Sequence, residues 1–244
     1  MMTNTLTKLR YCAAVITMSS STPASSPLLL ATAAARETGA DPAFRPAALI
    51  FDCDGTVLDT MEWYYPSWEQ TCGSQGIAIT RQKFYSCAGI PVREIFAKLL
   101  REQELEGTVD VDELLAEKHA IVEAQRKVSV PGMIDCVCDI VKHNHGKVPM
   151  AIASSGIKKN VLEGLKENGM LRYFDAVITH EDVASGKNKP APDIFLLAAE
   201  RLGVEPTACR GFEDADVGME SLRAAGMDAV DVRKMAAYPH KFDF

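Results

Sequence analysis

From Val148 onward the chain alternates between short apolar runs and amphipathic runs at nearly constant spacing. "VPMAIAS" reads as a strand and "IKKNVLEGLKENG" as a helix closed by Gly169. "FDAVITH" is a strand, "APDIFLLAAERLG" a helix closed by Gly203, "ACRGFED" a strand, "VGMESLRAAG" a helix and "DAVDVR" a last strand. Alternation of this kind requires right-handed crossovers that lay the strands side by side in a parallel sheet. One further apolar run, Ala47 to Phe51, lacks polar alternation and reads as a strand buried on both faces. The expected fold class is α/β, with a Rossmann-like parallel sheet as its core.

Between that first strand and the rest, from about Glu62 to Val128, the periodicity is helical. "VREIFAKLLRE" places Val92, Ile95, Phe96 and Leu99 on one face, and "VDELLAEKHAIVEAQ" places Val111, Leu114, Leu115 and Ile121 on another. "GSQG" and "EGTVD" separate the helices. The pattern predicts a small helical cap domain inserted after the first strand. Residues 45–62 and 130–236 then form the α/β core, 63–129 the cap and 237–244 a tail.

Residues 1–44 differ in texture. Met1 to Ala35 holds no acidic residue, only Lys8 and Arg10 as charges, and abundant Ser, Thr and Ala. That is the composition of a disordered or targeting extension. The expected location is cytoplasmic, with an organelle reached through a transit peptide as the alternative. The net charge of −7 argues against nucleic acid as a partner. No apolar run reaches the roughly 20 residues of a membrane-spanning helix. The seven scattered cysteines include no zinc spacing and read as free thiols.

In a parallel sheet the site lies at the carboxyl ends of the strands. The first strand exits into Asp52 and Asp54, with Gly55 next. The next core strand exits into Ser154 and Ser155, and a later one into Glu213 and Asp214. Lys189 lies in the loop "GKNKPAPD". Acids gathered at one sheet edge repel one another unless a cation sits among them, and an oxygen-only donor set points to Mg²⁺. Two residues apart on an extended segment, Asp52 and Asp54 face one centre. One carboxylate can serve as a nucleophile that forms an aspartyl-phosphate, the other as general acid and then general base. Gly55 lets backbone N–H groups approach phosphate oxygens.

These residues resemble the haloacid-dehalogenase superfamily, whose four motifs are matched by "FDCDGT", the Ser154 exit of "AIASSG", Lys189 in "KPAPDIF", and "GFEDADVGM". More narrowly the chain is similar to the beta-phosphoglucomutase-like branch, and within it to fructose-1-phosphate phosphatases, over nearly everything from Arg45 to Lys234. The resemblance implies Asp52 as nucleophile and Mg²⁺ ligand, and Asp54 as acid/base with its backbone carbonyl on the metal. It implies that Ser154 and Lys189 hold the phosphoryl group and that Asp214, with Glu213, completes the metal site. Lys118, in the last cap helix, falls where the family often places a substrate-binding lysine. A cap that closes over a small phosphorylated metabolite, and a monomer, are the branch's defaults.

Departures from the branch shape the functional reading. Tyr64 stands where many relatives carry a histidine. Val92 stands where beta-phosphoglucomutases carry an arginine that grips the substrate's second phosphate, with Arg93 beside it as a possible substitute. Ala215 replaces a usual serine. Loss of the anchor favours a Mg²⁺-dependent phosphatase of a sugar phosphate such as fructose 1-phosphate over a sugar-phosphate mutase. A non-catalytic phosphate-binding protein would show a broken nucleophile or acid/base, and this chain keeps both. Dehalogenation does not call for the metal acids. Phosphonate cleavage would use a cap lysine, for which Lys118 is the candidate. The substrate pocket is expected around Tyr64, Trp68 and Arg93.

Overall fold

The computed structural model describes residue 38 and residues 40–240, so residues 1–37 and 39 of the predicted extension lie outside the described residues, as do the last four of the tail. Five strands form the sheet: β1 (Ala48–Phe51), β4 (Met150–Ser154), β5 (Ala176–Thr179), β6 (Cys209–Glu213) and β7 (Asp228–Asp231). Their order is β5-β4-β1-β6-β7, and all pairings are parallel. The α/β class read from the alternation is the fold observed.

Alternation along β1 sends Leu49 and Phe51 to one face and Ile50 to the other. The first face is covered by α5 (Asp135–Asn144) and α6 (Lys158–Glu167), through Val137, Val141, Val161 and Leu165. Phe51 stacks there on its β6 neighbour Phe212, ring centroids 4.5 Å apart. The second face is covered by α7 (Asp193–Leu202) and α8 (Asp216–Ala224), through Ile194, Phe195, Met219 and Leu222. Gly203 ends α7 in the left-handed conformation that only glycine adopts without strain.

Two elements were absent from the sequence reading. Helix α5 lies between "VPGM" and the strand of Met150. A two-residue antiparallel ribbon also forms, β2 (Leu58–Asp59) against β3 (Gly132–Met133). Through this ribbon the chain leaves the sheet for the helical segment and returns. The segment comprises α1 (Thr60–Ser74), α2 (Arg81–Tyr85), α3 (Val92–Glu102) and α4 (Val111–Arg126). It has its own core around Trp68, Phe84, Phe96, Leu99 and Leu114.

On α3 the buried face is Ile95, Phe96, Leu99 and Leu100, with Val92 only half covered. On α4 the expected face is rotated. Leu114, Lys118 and Val122 are buried, whereas Val111, Leu115 and Ile121 are partly exposed. The seam toward α1 runs at i, i+4, i+8, and its middle position is a lysine.

Candidate active site

The segment after β1 is bent sharply. The Asp52 amide donates to the Phe212 carbonyl at 2.9 Å, which prolongs strand geometry by one residue. The Cys53 carbonyl then accepts from the amides of Val57 and Leu58 at 3.0 and 2.9 Å, folding the chain back on itself. Gly55 has φ +84°, and a Cβ there would lie 2.2 Å from an Asp214 carboxylate oxygen. A glycine is therefore required both by the backbone and by the approach to Asp214. Thr56 Oγ1 donates to Asp214 Oδ1 at 3.0 Å, and the buried Tyr238 hydroxyl donates to the Gly55 carbonyl at 2.8 Å.

Three carboxylates, Asp52, Glu213 and Asp214, are buried with ligand oxygens within 4.8 Å of one another. Lys189 Nζ reaches into the group, donating to Asp52 Oδ1 at 2.5 Å and to Glu213 Oε2 at 2.8 Å. Glu213 Oε1 accepts from the amides of Asp214 and Ala215 at 3.1 and 3.0 Å. Gly218 makes room for this carboxylate, because a Cβ there would stand 2.1 Å from its Cδ. Burial opposes the charge on Lys189, but Asp52 and Glu213 overcome it and hold the ammonium above the ordinary lysine range. Burial and Asp52 push Glu213 up to about 7, and burial with Glu213 pushes Asp214 well above its usual value. One amine does not balance three buried acids. An all-oxygen set with excess negative charge fits a hard divalent cation.

Asp54 points elsewhere. Its carboxylate is outside the triad and meets Ser154 Oγ at 3.5 Å. A Cβ on Gly156 would come within 3.1 Å of Asp54 Oδ2, so Gly156 keeps that side open. Burial first, then the neighbouring Asp52, raises the Asp54 carboxyl above its ordinary value. The two acids of the motif thus sit in different surroundings, one locked to an amine and one inclined to hold a proton.

Ser154 and Ser155 are not a helix cap. Helix α6 begins at Lys158 after Ile157, without a side-chain cap. Ser154 Oγ instead accepts from the Gly156 amide at 3.0 Å, and Ser155 Oγ is buried with no hydrogen-bond partner among the described residues.

The cap candidates divide. Lys118 lies with its ammonium over the rings of Tyr64 and Trp68, at 5.0 and 5.2 Å. Burial lowers it to about 8, with Asp54 acting in the opposite direction. Tyr64 is raised by burial and then by Asp54. Arg93 instead pairs with Asp112 at the surface, its side chain 57% exposed, and none of its described contacts reaches the acids. Sequence reasoning missed Thr56, Gly218 and Tyr238. Thr56 and Gly218 stand inside the motifs already quoted and could have been read there; Tyr238 lies in a tail with no pattern of its own.

The model of the family described as haloacid dehalogenase-like hydrolase matches residues 49–232. The chain is 40% identical over 190 residues to the fructose-1-phosphate phosphatase YqaB of Escherichia coli, covering 78% of this chain and 97% of the relative. It is 29% identical to a phosphorylated carbohydrates phosphatase of Thermotoga maritima, covering 75% and 83%. Its fold superposes on that of a beta-phosphoglucomutase from Clostridium difficile with a TM-score of 0.62, at 27% identity over 76% of this chain and 83% of the other.

Proposed function

The chain belongs to the haloacid dehalogenase-like hydrolases, and from that membership we propose that it is a Mg²⁺-dependent phosphatase of small phosphorylated sugars, with fructose 1-phosphate as the first substrate to try. The observation that carries the reading is the division between its two motif acids. Asp52 accepts from Lys189 through Oδ1, which leaves Oδ2 to attack. Asp54 is raised above its ordinary value and sits apart, as a proton donor must.

In this mechanism an Asp52 oxygen bonds to phosphorus while the bond from phosphorus to the sugar oxygen breaks. Asp54 gives its proton to the departing oxygen, and an aspartyl-phosphate remains. Asp54, now a carboxylate, takes a proton from water as that water attacks the same phosphorus. Asp52 and inorganic phosphate are released, and Asp54 is protonated again. Ser154 and Lys189 hold the phosphoryl oxygens. Asp52 and Asp214, with Glu213 behind them and the Asp54 carbonyl, would hold Mg²⁺, which when bound neutralises charge on the phosphoryl group. The helical segment, residues 63–129, acts as the cap that excludes bulk water and reads the sugar.

The mutase reading is supported by the likeness to a beta-phosphoglucomutase. Against it, Val92 offers no charge, and Arg93 is engaged with Asp112 at the surface. The test is phosphate release with Mg²⁺ from a panel of sugar phosphates, with glucose 6-phosphate detection on beta-glucose 1-phosphate. Steady phosphate release, reduced about 10³-fold or more in Asp52→Asn, is the expected result. Glucose 6-phosphate accumulating with little free phosphate would overturn hydrolysis in favour of the mutase.

A further inference from the structure

The turn that leaves β4, from Ser154 to Gly156, has to be open and fixed at once. A Cβ on Gly156 would stand 3.0 Å from Val161 Cγ2 and 3.1 Å from both Asp54 Oδ2 and Ser154 Oγ, so a glycine is what fits beside these groups. Glycine is also the residue with the most backbone freedom to lose. Its amide is spent on Ser154 Oγ at 3.0 Å, which leaves the Ser154 hydroxyl proton to point elsewhere; Asp54 Oδ2 lies 3.5 Å from that oxygen. Beyond Gly156, helix α6 starts without a side-chain cap from its own N-cap residue. The Gly156 carbonyl and the first amide of α6 are held from outside the turn.

The restraint comes from the neighbouring strand. β4 and β5 pair in parallel with Ser154 opposite Thr179, so their two exits lie side by side. After Thr179 the chain makes a single 3₁₀ turn, His180–Asp182, closed by a capping box. Asp182 Oδ2 accepts from the Thr179 amide and from its hydroxyl, each at 2.9 Å. From this rigid turn, Glu181 Oε1 accepts from the Lys158 amide and Asp182 Oδ1 from Lys158 Nζ, both at 2.8 Å. These two acids cap α6. His180 does something different: its Nδ1 lies 2.8 Å from the Gly156 carbonyl oxygen. A carbonyl only accepts, so Nδ1 carries the hydrogen, in the neutral ring and in the imidazolium alike.

We propose that His180 is a positioning residue of this site: by holding the Gly156 carbonyl it fixes the turn from which Ser154 reaches the phosphoryl group and against which Asp54 lies. Its described contact is with the backbone, so it acts through the turn and not on the substrate. The role rests on the phosphatase reading for its chemistry, whereas the bond itself needs only a donor at the place of Nδ1. Asparagine carries an N–H group on the same carbon, Cγ, so His180→Asn keeps the donor and loses the ring. His180→Leu keeps bulk and loses the donor. The competing account makes the whole 3₁₀ turn a staple of β5 to α6, in which His180 and Glu181 serve stability alike.

Three measurements on the full chain with Mg²⁺ separate these: phosphate release from the best substrate of the sugar-phosphate panel, calorimetric titration of inorganic phosphate, and thermal unfolding. His180→Leu, or His180→Ala if the first folds poorly, should lower kcat/KM by about tenfold or more and weaken phosphate binding about tenfold. His180→Asn should come within about threefold of the parent in both, as a restored hydrogen bond requires. Glu181→Ala removes only a helix-capping acceptor. It should lower the melting temperature by about 2–4 °C, with kcat/KM and phosphate affinity within about threefold of the parent. His180→Asn faring no better than His180→Leu overturns the proposal. So does His180→Leu matching the parent, or Glu181→Ala losing as much activity and affinity as His180→Leu. Failure of the phosphatase reading looks different: the parent then releases no phosphate from any panel member, while parent and His180→Asn still bind inorganic phosphate more tightly than His180→Leu. A parent that neither turns over nor binds phosphate overturns both.

Discussion

The two sides of the site treat charge in opposite ways. On the sheet side, Asp52, Glu213 and Lys189 are tied to one another, and backbone amides and Thr56 fill further oxygens of Glu213 and Asp214. On the cap side, Lys118 lies over aromatic rings, and the Nε and Nη1 of Arg126 are buried without a hydrogen-bond partner among the described residues. A preorganised cluster spends no reorganisation energy at the moment of reaction, so groups meant for the chemical step gain from being locked. Groups meant to choose a substrate gain from being unsatisfied until it arrives. If that contrast holds, substitutions on the sheet side should lower kcat and stability together. Substitutions on the cap side should trade one against the other.

Lys189→Met should produce the largest loss. It leaves buried acids without their amine, a change that typically destabilises by about 3–5 kcal/mol. It also removes a phosphoryl-binding cation, for which a fall in kcat of about 10²–10³ is expected. Thermal unfolding and initial rates, both with Mg²⁺, read the two effects. A stable protein with near-normal kcat would break the comparison at its strongest point.

Gly55→Ala comes next. The new methyl meets Asp214 at 2.2 Å, at a φ of +84° that alanine adopts only with strain. A destabilisation of about 1–3 kcal/mol and a kcat drop of about tenfold or more are expected, because Asp214 must move. Gly76 has a similar φ, +67°, with nothing within 4 Å of a built Cβ, so Gly76→Ala controls for backbone strain alone. Equal activity losses in the two would mean that contact with Asp214 is immaterial.

Lys118 should behave oppositely. Burial holds it near 8, below its ordinary 10.5. A depressed lysine contributes stability that is fully present above the unfolded value and is lost as pH falls through the folded one. Unfolding free energy should therefore rise by an amount on the order of 3 kcal/mol between about pH 8 and 10.5. Substrate affinity should move the other way, KM rising as the ammonium discharges above pH 8. Lys118→Met should flatten both trends, gain stability at pH 7 and raise KM about tenfold. A parallel fall of stability and affinity would show that the cap charge is structural.

Much of this was legible in the sequence because the strands are continuously apolar and stop at charged or hydroxyl residues. Asp52, Ser154 and Glu213 each mark where a strand leaves the core. Cap packing was less legible. The apolar residues of α4 predict one face, but α1 presents Tyr64 and Trp68, and these rings accept a lysine that an aliphatic surface would reject. The spacing of Val137, Ile140, Val141 and Asn144 does mark α5 as a helix; its paired cysteines and valines obscured that. The ribbon of β2 and β3 has two residues per strand, too few for any period to appear. Arg93 carries a charge beside Val92, and only its pairing with Asp112 shows that charge already engaged.

The smallest expected effect belongs to the tail. Tyr238 and His240 lie beyond the stretch that the family model matches, yet Tyr238 touches the turn that leads out of β1 and His240 touches β2. Tyr238 donates to the Gly55 carbonyl, and His240 Nε2 meets Asp59 Oδ1 at 2.7 Å at the entry to the cap. These contacts sit on the boundary between the locked side and the open one. Tyr238→Phe keeps the ring in the core and removes only the hydroxyl, leaving the Gly55 carbonyl without that donor. The expected destabilisation is about 1 kcal/mol, with kcat lowered by about threefold or less and KM unchanged. Urea unfolding and steady-state rates measure both. If Tyr238→Phe instead raised KM while sparing kcat, the tail would act through the cap, and the line between the two sides would have to be drawn on the core side of Gly55.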